Sequence, residues 1–90
     1  MSKFKLILAD DHAVVRSGLR MLLEVQPDID IVAEAESGTE AVEKTRALRP
    51  DIVLMDIQMP GLNRIEATKQ IKNLTPETAV LALTMYEDDQ

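Results

Sequence analysis

Asp51-Ile-Val-Leu-Met-Asp-Ile-Gln-Met-Pro-Gly61 reads as a short strand, Ile52 to Met55, that ends abruptly on Asp56. The loop after it, Gln58-Met59-Pro60-Gly61, is rich in residues that break helices and strands. An uninterrupted apolar run with two β-branched members and turn residues on both sides suits a strand buried on both faces. Such strands belong to parallel sheets, and those sheets bind ligands outside the carboxyl ends of their strands. An acid at that point is either a turn residue or a reactive group. Asp56 alone leaves both open.

Working outward, Phe4-Lys-Leu-Ile-Leu-Ala9 is a second apolar run that stops on acid, here Asp10-Asp11. A helix is expected from about His12 to Val25, with Val15, Leu19, Leu22 and Leu23 as its inner stripe and Pro27 marking its exit. Arg16 and Arg20 lie off that stripe and read as a solvated face. Ile29 to Ala35 is a more polar strand, as an edge strand would be. Ser37-Gly-Thr-Glu40 has capping-box spacing and opens a second helix. Ala41, Val42, Thr45 and Leu48 give that helix its inner face, Arg46 and Arg49 suit its carboxyl end, and Pro50 stops it. Beyond the central strand, Asn63 and Glu66 mark a third helix start, and Ala67, Ile71 and Leu74 supply its inner stripe. Ala79-Val-Leu-Ala-Leu83 is a last buried strand ending on Thr84, and 86–90 could begin a fourth helix. The order βαβαβαβ calls for a doubly wound parallel sheet.

Ninety residues allow one domain. Its core must be aliphatic, because Phe4 and Tyr86 are the only aromatic residues among 46% hydrophobic ones. A net charge of −6 argues against this chain itself gripping nucleic acid. No apolar run is long enough to span a membrane, and zero cysteines fit a reducing cytoplasm.

Three strands finish in polar groups: Asp10-Asp11, Asp56 and Thr84. If the first and third strands are neighbours, their ends lie roughly 5 Å apart and three carboxylates crowd one small site. Two unit charges about 4 Å apart cost about 4 kcal/mol at an effective dielectric of 20. A hard divalent ion relieves that cost, and Mg²⁺ favours one or two carboxylates plus waters and phosphate oxygens. Asp56 is placed to act as a nucleophile toward phosphorus, and Thr84 could donate to a phosphoryl oxygen. His12 is the only histidine and has no ligand partner of its own kind. It reads as a surface or local packing residue, not a metal ligand.

Asp10-Asp11 after a first strand, Asp56 in D-I-Q-M-P-G and Thr84 after a later strand resemble the receiver domain of bacterial response regulators. Ala9-Asp-Asp-His-Ala-Val-Val-Arg-Ser-Gly-Leu-Arg-Met-Leu-Leu23 and Gly61-Leu-Asn-Arg-Ile-Glu-Ala67 are similar to the NarL/FixJ type. The resemblance covers the whole chain. It implies a flavodoxin-like sheet of strand order 2-1-3-4, with residues 1–90 an incomplete receiver that lacks the fifth βα unit and any output domain. It implies that Asp56 accepts a phosphoryl group from a histidine kinase. It also implies that Asp11, Asp56 and the backbone carbonyl of Gln58 ligate Mg²⁺, with Asp10 acting partly through water and Thr84 following the phosphoryl group as a switch. A cytoplasmic regulator of transcription is expected, touching DNA only through its output domain. This sequence departs from the family in lacking the lysine at the end of a fifth strand, and in carrying Arg64 where glycine is usual.

The missing unit would uncover apolar residues of the first helix, so self-association or an exchanged segment is expected to cover them. Two rival functions stand beside the receiver. A self-association module without competent phosphotransfer fits the missing lysine. A magnesium-dependent aspartyl phosphohydrolase would need a second aspartate two residues after the first, where Gln58 stands and cannot act as an acid.

Overall fold

The computed structural model describes residues 3–56 and 64–83. Four strands and three helices alternate along them: β1 (Phe4–Ala9), α1 (Ala13–Glu24), β2 (Ile29–Ala35), α2 (Gly38–Leu48), β3 (Ile52–Asp56), α3 (Arg64–Leu74) and β4 (Ala79–Leu83). All pairings are parallel, in the order β2-β1-β3-β4. This is the flavodoxin-like order, with β1 and β3 as the central neighbours. The polar β2 lies at one edge of the described sheet and the apolar β4 at the other.

Alternation along the central strands sends Ile7, Ala9, Val53 and Met55 to one face, where all four are fully buried. They meet Ala41 and Val42 of α2 and Ala67 and Ile71 of α3, with Leu74 and Val80 packed around them. Ile71 is completely enclosed. Ile71→Ala is therefore expected to cost about 2–5 kcal/mol, seen as a lower urea midpoint. Leu22→Ala, at a side chain 67% exposed, should leave that midpoint nearly unchanged.

Among the described residues the opposite face is thinly covered. Leu6 and Leu8 of β1 are buried there, but Leu54 is only half-buried and Leu81 is exposed. Helix α1 has no fully buried residue. Val15, Leu19 and Leu23 are half-buried as the inner stripe requires, whereas Leu22 is exposed, as are Val14, Met21 and Val25. The stripe is thus narrower than its spacing predicts. Leu48, expected on the inner face of α2, is likewise exposed because the helix ends on it. Central strand β3 is buried on one face and half-buried on the other, rather than enclosed on both.

Local signals account for most boundaries. The Ser37 hydroxyl accepts a hydrogen bond from the Glu40 amide at 3.1 Å, as the capping spacing predicts. The return bond differs by one residue: Glu40 accepts from the amide of Glu36, not of Ser37. Arg49 closes α2 in the left-handed conformation, φ 49°, directly before Pro50. Arg64 is accommodated as the first residue of α3. The expected cap at Asn63 and the helix over 86–90 lie outside the described residues.

Candidate functional site

Parallel pairing sets Ala9 level with Met55, so the chain leaves β1 at Asp10 beside the point where β3 ends at Asp56. Asp56 in turn is level with Leu83 of β4. Three strands therefore converge at one sheet end, as the topology demands of a binding crevice.

Asp10 is fully buried and Asp56 is 7% exposed, while Asp11 is half-buried at the rim. One donor atom from each of Asp10, Asp11, His12 and Asp56 falls within 4.8 Å of all the others. The acids predicted to share a site do share one. Local backbone geometry fixes the first of them. The Asp10 amide donates to the Ala35 carbonyl at 3.0 Å, and its Oδ1 accepts from the His12 amide at 2.8 Å. Its Oδ2, equally buried, accepts no hydrogen bond from any described residue. A buried carboxylate oxygen without a donor is costly in a protein interior, and a cation removes that cost. Three hard oxygen donors of this kind fit Mg²⁺.

His12 was not expected here. Its Nδ1 lies 2.9 Å from Asp11 Oδ1 and 3.4 Å from Asp10 Oδ1, while the ring is 61% exposed at the mouth. Adjacency to Asp11 was the available signal, but sequence spacing does not tell which way the side chain turns at the N-cap position of a helix. Gln58 and Thr84 lie outside the described residues.

Arg16, read from its position as a solvated side chain, is instead largely covered, its side chain only 14% exposed. One guanidinium nitrogen donates to the Asp10 carbonyl at 2.7 Å, and Nε donates to Glu34 Oε1 at 2.8 Å. Arg20 pairs with the second Glu34 oxygen and with Glu24. The backbone that carries Asp10 is thereby tied to α1 and to the β2 edge. A helical stripe cannot reveal this, because the partner sits 18 residues further along.

Burial alone would push the Glu34 carboxyl up, but hydrogen bonds from Arg16 and then Arg20 outweigh it and hold the group below the usual range. A carboxyl lowered on folding adds stability above its unfolded value and loses it as pH falls through the folded value. Glu34→Gln should therefore be less stable than the parent at neutral pH. That gap should shrink below the ordinary glutamate value of about pH 4.3. Urea midpoints across pH 2.5–7 read the effect, which is modest for a partly exposed cluster (about 1 kcal/mol or less).

The sequence profile of the response regulator receiver domain matches residues 6–90. Oxygen regulatory protein NreC of Staphylococcus aureus is 46% identical over 87 residues, covering 96% of this chain and 40% of NreC. The chain thus spans well under half the length of that relative. A LuxR-family two-component response regulator from Aurantimonas sp. SI85-9A1 superposes with TM-score 0.87 at 41% identity, over 96% of this chain and 61% of that one. The response regulator domain of Thermotoga maritima CheB gives 0.85 at 38% identity, over 97% and 64%. With the acid cluster at the ends of β1 and β3 and the strand order 2-1-3-4, these likenesses place the chain among the response regulator receiver domains, in their NarL-type branch.

Proposed function

We propose that this receiver accepts a phosphoryl group on Asp56 from the phosphohistidine of a sensor histidine kinase. The gathering of three carboxylates from two separate segments at one sheet end carries the reading. A carboxylate oxygen of Asp56 attacks phosphorus, the bond from phosphorus to the donor nitrogen breaks, and the electron pair returns to the departing imidazole. Asp10, Asp11 and Asp56, with the carbonyl of Gln58, would hold Mg²⁺, which when bound neutralises charge on the phosphoryl oxygens. Arg16 holds the Asp10 backbone in place from outside the pocket. Thr84 donates to a phosphoryl oxygen once it arrives. The resulting dianion favours one of two conformations by contacts made only there, and so alters self-association.

The described unit would act as the signal-receiving part of a longer cytoplasmic transcription regulator that meets DNA through a separate output domain. No described helix is long and apolar enough to cross a membrane. The test is incubation with a small phosphodonor and Mg²⁺, followed by intact mass and peptide mapping. One phosphoryl group retained on Asp56 supports the reading. Rapid turnover with phosphate release would favour a hydrolase instead.

A second reading, a self-association module without phosphotransfer, draws on the exposed Val14, Met21, Leu22 and Leu81. It requires inert Asp56 together with concentration-dependent mass in light scattering.

A further inference from the structure

We propose that His12 is a further ligand of the acid pocket, beside its three carboxylates, and that the pocket binds a borderline divalent ion of the Zn²⁺ and Co²⁺ class more tightly than magnesium. The inference rests on reading the cluster as an ion pocket and adds a residue, a metal class and a form of regulation to it.

Four observations converge on the imidazole. Its donor atom belongs to the same group as the three carboxylate oxygens, all within 4.8 Å. Its Nδ1 stands against Asp11 and Asp10 at 2.9 and 3.4 Å, ion-pair distances that are also short enough for the three groups to share one cation. With metal–ligand distances of about 2.1 Å, adjacent donors stand about 3.0 Å apart in a six-coordinate sphere and about 3.4 Å apart in a four-coordinate one. Independently, the wholly buried carboxylate of Asp10 keeps Oδ2 without a hydrogen-bond donor among the described residues.

The fourth observation concerns what the ring does not do. His12 occupies the N-cap of α1 in extended conformation, yet its side chain makes no capping hydrogen bond. Serine, threonine, aspartate or asparagine would serve that position better. The backbone amide of His12 is meanwhile fixed on Asp10 Oδ1, which keeps the ring at the pocket mouth.

Chemistry then selects the metal. Carboxylates alone suit magnesium, whereas an imidazole nitrogen favours zinc and the later transition ions. Asp10, Asp11, Asp56 and His12 would together hold such an ion, and each protein donor it gains would leave it less room for a phosphoryl oxygen. Zinc would therefore compete with magnesium and block loading of Asp56.

Calorimetric titration of the protein with Zn²⁺ and with Mg²⁺, and Co²⁺ absorption in the visible range, test this without any activity measurement. One Zn²⁺ should bind at least about 100-fold more tightly than Mg²⁺. His12→Asn should lower the zinc-to-magnesium affinity ratio by at least about tenfold and weaken the four-coordinate Co²⁺ bands. The exposed ring makes no cap bond, so this variant keeps the fold, and His12→Ala checks it. Asp56→Asn should weaken binding of both ions. An unchanged ratio in His12→Asn, with Mg²⁺ bound as before, overturns this inference alone. Zinc bound equally well by Asp56→Asn places the ion elsewhere and also overturns it. Zinc binding through His12 without any Mg²⁺ binding overturns the magnesium reading alone.

Discussion

Asp56→Asn is expected to abolish phosphoryl uptake from a small phosphodonor, by about three orders of magnitude or more. The substitution keeps the shape of a side chain that is 7% exposed at the end of β3, so the strand and its pairing with β1 and β4 should survive. It removes the anionic oxygen that the proposed reaction uses to attack phosphorus, and an amide is a poor replacement. It also removes one of three negative charges from the ion pocket, so magnesium affinity should fall in parallel. Asp56→Glu separates the two effects. The carboxylate remains but is carried outward by one methylene, and a displacement of about 1 Å can cost about a hundredfold in rate. Magnesium binding should then persist while phosphoryl uptake stays slow. Intact mass after incubation gives the stoichiometry, and mapping of acid-stabilised peptides gives the position. Label found on Asp10 or Asp11, in the parent or in Asp56→Asn, would show that the nucleophile has been misassigned.

The features legible in the sequence are those that depend on neighbours along the chain. Apolar runs bounded by acids or turn residues located β1, β3 and β4 to the residue or nearly so. Ser37 and Pro50 located the ends of α2. The meeting of Asp10, Asp11 and Asp56 was also legible, because strands of one parallel sheet end on the same side and β1 neighbours β3. What escaped depends on contacts between distant segments. Helical spacing marked Leu22 as inner, but burial requires something to lie opposite, and among the described residues that side of α1 has little against it. Arg16 looked like a solvated charge until Glu34 and the Asp10 carbonyl supplied partners. The parallel register of β1 and β2 slips between Leu6 and Ile7, moving the partner from Ile31 to Ala33. No periodicity announces such a bulge. His12 escaped for a related reason: residue type suggests a ligand, but only the turn between β1 and α1 decides where the ring points.

Asp10→Asn should make the metal-free protein more stable, although it alters a completely buried residue. Oxygens of Asp10, Asp11 and Asp56 lie within 4.8 Å of one another. Two unit charges about 5 Å apart repel by about 3 kcal/mol at an effective dielectric near 20. Asparagine retains the oxygen that accepts from the His12 amide at 2.8 Å. Its new amide can donate to a neighbouring carboxylate from the place where Oδ2 has no donor among the described residues. A rise of about 1–3 kcal/mol in unfolding free energy is expected by urea titration in the presence of chelator. Magnesium reverses the order. The parent gains stability with ion concentration, about 2.7 kcal/mol at one hundred times the dissociation constant, because the ion binds only the folded chain. The variant, with one charge fewer in the pocket, should gain much less. The two stability curves should therefore cross as magnesium is raised. A variant less stable than the parent in chelator would mean that the aspartates do not strain the fold by repulsion. The cost that makes this corner of the sheet a cation site would then be absent.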